Sequence, residues 1–257
     1  ESGSAASGPD ADLEGTRVFN FSRYHALGTR TPPNVAPMLG GRPVSETRKD
    51  VRNDRMDTRG GWLFDLYRSL GYVTLFGENS CHKLAGSSPT IFFKPPIADQ
   101  LVKLRNRFDS SGLTDAACYI VDSIGRTSFY NGPDEACVHG RDLHSYYLDY
   151  AQTFFEAHGA GVPKAMFVTL IEGHEQNNRR TKSIDAGVAD FIRSILRTSR
   201  ERGEETVLAA YSDHGVVYGN YYEKSAAGRQ ENALPFLFLA LPRSFAMRGS
   251  VGVDDGG

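Results

Sequence analysis

Cysteine is scarce, with 3 residues, Cys81, Cys118 and Cys137, in a chain of 257. No two have the close spacing of a zinc knuckle or a CxxC redox pair, which excludes a structural zinc of that type and a thioredoxin-like site. Two of them could pair in an oxidising compartment, or all three could be buried thiols; spacing leaves both open. Excess charge of one sign is also missing. The 29 Lys+Arg residues against 31 Asp+Glu leave a net charge of −2, so no bulk field points to a nucleic-acid partner. The chain has no apolar run of the ~18 residues that a membrane-spanning helix needs. It has no GxSxG elbow, which disfavours a serine hydrolase, and no HExxH helix, because Asn178 stands where the second histidine would follow His174.

What is present is enough for a core. At 40% hydrophobic and 23% charged, 257 residues can bury one large domain. The chain begins with Glu1 rather than Met on a small, polar stretch without the apolar centre of a signal peptide, which reads as a processed or truncated product. Residues 1–17 are expected to be a disordered polar segment, 18–245 the domain, and 246–257 a flexible end.

Between those ends, apolar runs at 72–76, 165–171, 206–211 and 235–241 are too short for ordinary helices and are bounded by turn or charged residues. Their continuous apolarity predicts central strands covered on both faces. Helical periodicity appears over 61–70, 143–158 and 184–200. In the last, Ile184, Val188, Phe191, Ile192, Ile195 and Leu196 form one stripe, with Ser183 as a candidate cap and Gly203 just past the end. Strand and helix in alternation predict an α/β fold, a three-layer α/β/α sandwich with a mostly parallel central sheet. Segment 79–135, rich in Ser, Pro and Gly, is the expected irregular excursion.

In such a fold, functional groups collect where strands end. Ser212-Asp213-His214-Gly215 follows one predicted strand directly. Asp213 offers a hard oxygen and His214 a borderline nitrogen, a pair suited to zinc or manganese. Alone, the tripeptide reads equally well as a capping aspartate beside a satisfied histidine. Glu172-Gly173-His174-Glu175-Gln176-Asn177 follows another strand and offers a carboxylate, an imidazole and amides, including Asn177, to a metal or a substrate oxygen. It reads equally as a solvated loop. Thr31-Pro32-Pro33-Asn34 is rigid, because proline fixes its own backbone and holds the preceding residue extended. The Thr31 hydroxyl would then be presented in one orientation, unless the segment is an ordinary proline turn. Arg23, His25 and Arg30 lie close enough in sequence to meet an anion, or simply to solubilise.

Several blocks occur together and in order: Arg23-Tyr24-His25 through Thr31-Pro32-Pro33-Asn34 to Gly40-Gly41, then residues 71–76, Cys137, Leu148-Asp149-Tyr150, Glu172-Gly173-His174, Tyr211-Ser212-Asp213-His214-Gly215, and residues 228–235. Over roughly 18–245 this arrangement resembles the domain of unknown function 229 family, a sulfatase-like group within the alkaline phosphatase and sulfatase superfamily. The resemblance implies that Thr31 is the nucleophile and a metal contact, and that Asn34 steadies the transition-state oxygen. It implies that Asp213 and His214 hold the nucleophile's metal, and that Glu172 and His174 serve a second metal or the substrate. Arg30, His25 and Asn177 would bind substrate. One or two zinc or manganese ions, a small-molecule or glycan or lipid ester substrate, and a secreted, luminal or cell-surface location follow from the same resemblance.

The chain departs from that pattern in three respects. The acidic ligand at the end of the superfamily's first strand has no counterpart, since Asp10 and Asp12 follow no strand-like run, so the sheet is expected to lack its first strand. Asn232 and Ala233 stand where the resemblance would place Glu and Arg, and Thr31 replaces the sulfatase cysteine. Two functions therefore follow: a metal-dependent hydrolase or transferase of phosphate- or sulfate-type esters, or an inactive protein of the same fold that binds without reacting.

Overall fold

A computed structural model of the chain describes residues 15–41, 62–79, 108–110, 113, 137–174 and 179–248. Strand β1 (Thr16–Asn20) leads through a loop to helix α1 (Thr31–Gly40). Helix α2 (Leu63–Ser69) precedes strand β2 (Val73–Glu78). The short strands β3 (Cys137–Val138) and β4 (Arg141–Asp142) form a hairpin, in which Cys137 is a free, exposed thiol. Helix α3 (Leu143–Ala157) and strand β5 (Lys164–Thr169) follow, then a 3-10 turn over Ile171–Gly173. Helices α4 (Arg179–Ser183) and α5 (Asp185–Glu201) lead to strand β6 (Leu208–Tyr211). Helices α6 (Gly219–Lys224) and α7 (Ala226–Ala233), strand β7 (Leu237–Pro242) and helix α8 (Arg243–Arg248) complete the order.

The fold is mixed α/β. β2 and β5 run parallel, with Val73 opposite Lys164 and Glu78 opposite Thr169. Both faces of this pair are covered. On one, Phe76 and Ala165 pack with Val35 and Leu39 of α1 and Phe64 of α2; on the other, Leu75 packs with Ala151 and Phe154 of α3, backed by Phe191 of α5. Alternation of side chains across the pleat sends Phe76 and Leu75 to opposite layers, and burying each fully contributes about 1.5–3 kcal/mol. Helix α3 fits this role because Leu143, Tyr147, Leu148, Ala151, Phe154 and Phe155 fall on one buried stripe.

The expectation of a mostly parallel sheet needs correction among the described residues. β1, β7 and β6 form an antiparallel sheet in the order β1-β7-β6. Two helices, α6 and α7, connect β6 to β7, so the chain returns to the edge it left and β7 must run back along β6. The predicted covering of both faces also fails for β7, where Phe238 is exposed, as is Phe236 just before the strand. Strand β1 was not predicted, and its first two residues fall within the stretch expected to be disordered. Ser183 does not cap α5; it belongs to α4, donates its hydroxyl to the Arg180 carbonyl, and leaves Ile184 at the N-cap. Gly203 does lie past the end of α5 in the left-handed conformation, with φ +65. Most of 79–135 lies outside the described residues, as do Cys81 and Cys118, the stretch ahead of Gly15 with Asp10 and Asp12, and residues 249–257.

This topology brings distant segments together. β1 and β6 both pair antiparallel with β7, so they run parallel to one another. Asn20 ends opposite Phe238 and Tyr211 ends opposite Leu237, at one end of the sheet. The loop that leads to Thr31 and the turn that carries Asp213 and His214 therefore emerge side by side.

Candidate functional site

The loop after β1 is tied to the beginning of β7 and the end of α7. Phe21 N donates to the Leu237 carbonyl and Ala26 N to the Ala233 carbonyl, at 3.0 Å each. Asn34 then closes the loop. Its Oδ1 accepts from Leu27 N at 2.6 Å and Gly28 N at 3.0 Å, while its Nδ2 donates to the Gly28 and Arg30 carbonyls at 2.8 Å each. The side chain is 4% exposed and both ends of its amide are engaged with its own loop. It therefore shapes the loop that carries Thr31. Gly28 leaves room for this fold, since a Cβ there would sit 2.6 Å from Pro33 Cγ.

Thr31 is neither held extended nor part of an ordinary proline turn, the two sequence expectations, but is the first residue of α1, with Arg30 as the extended N-cap. Prolines are tolerated here because the first-turn amides have no intrahelical partner to lose. Arg30, the N-cap, and His25, earlier in the loop, are exposed.

Opposite lies the turn after β6. Ser212 N donates to the Phe236 carbonyl at 3.0 Å, and Ser212 Oγ donates to the His214 carbonyl at 2.5 Å. Thr31 Oγ1 stands 3.3 Å from His214 Nε2, and Asp213 Oδ2 stands 3.5 Å from the same nitrogen. On the other side of the ring, His214 Nδ1 is 2.6 Å from the Gly215 carbonyl. A carbonyl only accepts, so this contact places a proton on Nδ1, and in the neutral form of the ring the Nε2 lone pair faces Thr31 and Asp213. This differs from a Ser-His-Asp triad, in which the carboxylate holds the nitrogen remote from the nucleophile. Here two oxygens converge on one lone pair. Asp213 Oδ2 is buried with no hydrogen-bond partner among the described residues. A buried, unsatisfied carboxylate oxygen beside a nitrogen lone pair and a hydroxyl is a donor set that suits a divalent cation.

Two tyrosines that sequence reasoning assigned no role feel the charge of this carboxylate. Burial, and then the nearby Asp213 charge, push the Tyr24 phenol up; burial, Tyr24 and Asp213 push the Tyr211 phenol well up. Both therefore stay neutral beside Asp213 at physiological pH.

Glu172 and His174 occupy a different setting. Glu172 is buried in the turn after β5, where Asn79 Nδ2 donates to Oε1 at 2.8 Å and Oε2 at 2.9 Å. Asn79 follows β2, so the parallel register that sets Glu78 opposite Thr169 also brings these two side chains together. His144 Nδ1, from the buried face of α3, lies 3.5 Å from Glu172 Oε1. The Glu172 carboxylate raises the His144 pKa above its ordinary value, and burial opposes the rise. His174 Nε2 is 2.6 Å from the Tyr218 hydroxyl, with the two rings edge to face. Among the described residues no three His, Cys, Asp or Glu side chains converge closely enough to hold a metal ion, so Glu172 and His174 do not join Asp213 and His214 in one ligand set. Asn177 lies outside the described residues. Asn79 and His144 were missed; the signal for His144 was a histidine standing on the apolar stripe of α3.

No helix among the described residues is long and apolar enough to cross a membrane. Neither the curated proteins nor the solved structures contain a match to the chain. Residues 116–253 match the family described as "Protein of unknown function (DUF229)", a span that includes Glu172, His174, Asp213 and His214 and begins after Thr31. The chain belongs to the domain of unknown function 229 family.

Proposed function

We propose that the protein is a metal-dependent hydrolase or transferase of phosphate- or sulfate-type esters, with Thr31 as nucleophile. The observation that carries this reading is the approach of Thr31 Oγ1 to within 3.3 Å of His214 Nε2, with Asp213 Oδ2 at 3.5 Å from that nitrogen. Asp213, His214 and the Thr31 hydroxyl would hold zinc or manganese, one ion at this position. When bound, such an ion supplies positive charge that eases ionisation of a hydroxyl and stabilises charge on an ester oxygen. The helix and loop fix the hydroxyl, and Tyr24 and Tyr211 stay neutral near Asp213. The Thr31 oxygen bonds to phosphorus or sulfur as the ester oxygen leaves; water, or an acceptor hydroxyl, then takes the group from Thr31.

Arg30 and His25, both exposed, would meet the substrate's anionic group. The substrate is a small-molecule, glycan or lipid ester, and a secreted or luminal location belongs to the same reading. So does an alkaline phosphatase-like three-layer sandwich, in which the helix-covered β2–β5 pair would be one part of the central sheet.

Thr31→Ala tests the reading. Turnover of 4-nitrophenyl phosphate or its diester or sulfate analogues in zinc or manganese should be lost, and Thr31→Ser should retain part of it. Equal turnover by wild type and Thr31→Ala would overturn the nucleophile.

A second reading, an inactive member that binds without reacting, is favoured by the donor count. Among the described residues, Asp213 and His214 are two strong ligands, where structural and catalytic zinc sites use three or four protein ligands. It predicts no turnover and no rise in melting temperature with zinc or manganese.

A further inference from the structure

We propose that Asn232 is a positioning residue that holds His214 in one tautomer through the carbonyl of Gly215. Asn232 is 2% exposed near the end of α7. Its Nδ2 donates to the Gly215 carbonyl at 2.8 Å, and its own backbone carbonyl accepts from Gly215 N at 3.0 Å. The Gly215 peptide groups are thus gripped on both sides by one residue. The same Gly215 oxygen accepts from His214 Nδ1 at 2.6 Å. With its position fixed by Asn232, that oxygen keeps the proton on Nδ1 and the lone pair on Nε2, on the side where Thr31 and Asp213 stand.

The close approach this requires is visible in the glycine itself. A Cβ at Gly215 would overlap the backbone of Glu231 and come within 2.9 Å of Asn232 Cα. A larger residue would push the turn off α7 and break the grip. The asparagine suits the role because it presents an uncharged N–H donor in a site with little water. Outer contacts of this kind orient a ligating histidine, and their loss typically weakens metal binding by about 10–100-fold.

The inference rests on the proposed role of His214, but its test does not. The tautomer of neutral His214 is read from the ring ¹⁵N shifts of the metal-free protein, in wild type and in Asn232→Ala, with His214→Gln to assign the signals. Wild type should be protonated on Nδ1, and the variant should show a mixture of tautomers. Zinc affinity, measured by calorimetry with zinc chloride, should fall about tenfold or more in Asn232→Ala. If that variant does not fold, the wild-type tautomer still decides, since protonation on Nε2 overturns the proposal. An unchanged tautomer in a folded Asn232→Ala also overturns it. Zinc binding too weak to measure in wild type, alongside the expected shifts, would instead sink the metal-site reading and leave the positioning role standing.

Discussion

Replacing Asn34 by alanine removes four hydrogen bonds at once, two accepted from Leu27 N and Gly28 N and two donated to the Gly28 and Arg30 carbonyls. Each neutral bond contributes a net of about 0.5–1.5 kcal/mol. The loop is partly exposed, so water recovers some of the loss, and a cost of about 2–3 kcal/mol is expected. In a chain of 257 residues, each kcal/mol lowers the melting temperature by about 2–4 °C, so a drop of roughly 4–12 °C should appear in calorimetry. Because the same loop delivers Thr31 to His214, 4-nitrophenyl phosphate turnover should fall with it. If Asn34 instead served substrate alone, Asn34→Ala would lose turnover while melting within about a degree of wild type. That result would refute the loop-building role.

Two further predictions concern the rest of the fold. The His144 pKa is raised above its ordinary 6.5 by Glu172, so its stabilising contribution is complete below that value and fades as pH rises through the folded pKa. Urea midpoints across this window should carry a pH-dependent component that Glu172→Gln removes, and an identical profile in the variant would contradict it. Lys164 Nζ and Glu204 Oε1 pair at 2.7 Å with side chains only 5% and 15% exposed. Lys164→Met should therefore cost about 2–4 kcal/mol in urea unfolding by leaving a mostly buried carboxylate unpaired, and adding Glu204→Gln should recover most of it; a cost below about 0.5 kcal/mol would rule this out.

The parts of the fold legible in the sequence were those whose residues report their own surroundings. Val73 to Phe76, apart from Thr74, and Ala165 to Val168 are apolar because helices cover both faces of β2 and β5. Asp213 and His214 were found because they directly follow the strand β6. β1 was not legible, since Thr16 to Asn20 gain strand form only by pairing with β7, more than two hundred residues later. Nor was the direction of β7, which depends on how α6 and α7 return the chain. The segment starting at Thr31 looked extended because two prolines follow it, yet the first turn of a helix accepts both. The contact of Asn79 with Glu172 depends on the β2–β5 register, and the grip of Asn232 on Gly215 depends on α7 approaching the β6 turn. Sequence spacing encodes neither approach, so the partners of the motif residues emerged only from the fold.

The most direct measurement is the anomalous signal of zinc in crystals of the wild-type protein grown or soaked with zinc chloride. The account predicts an ion roughly 2.0–2.2 Å from His214 Nε2 and from an Asp213 carboxylate oxygen, with Thr31 Oγ1 beside it. Zinc bound elsewhere, or a Thr31 hydroxyl turned away from an ion held by Asp213 and His214, would contradict it.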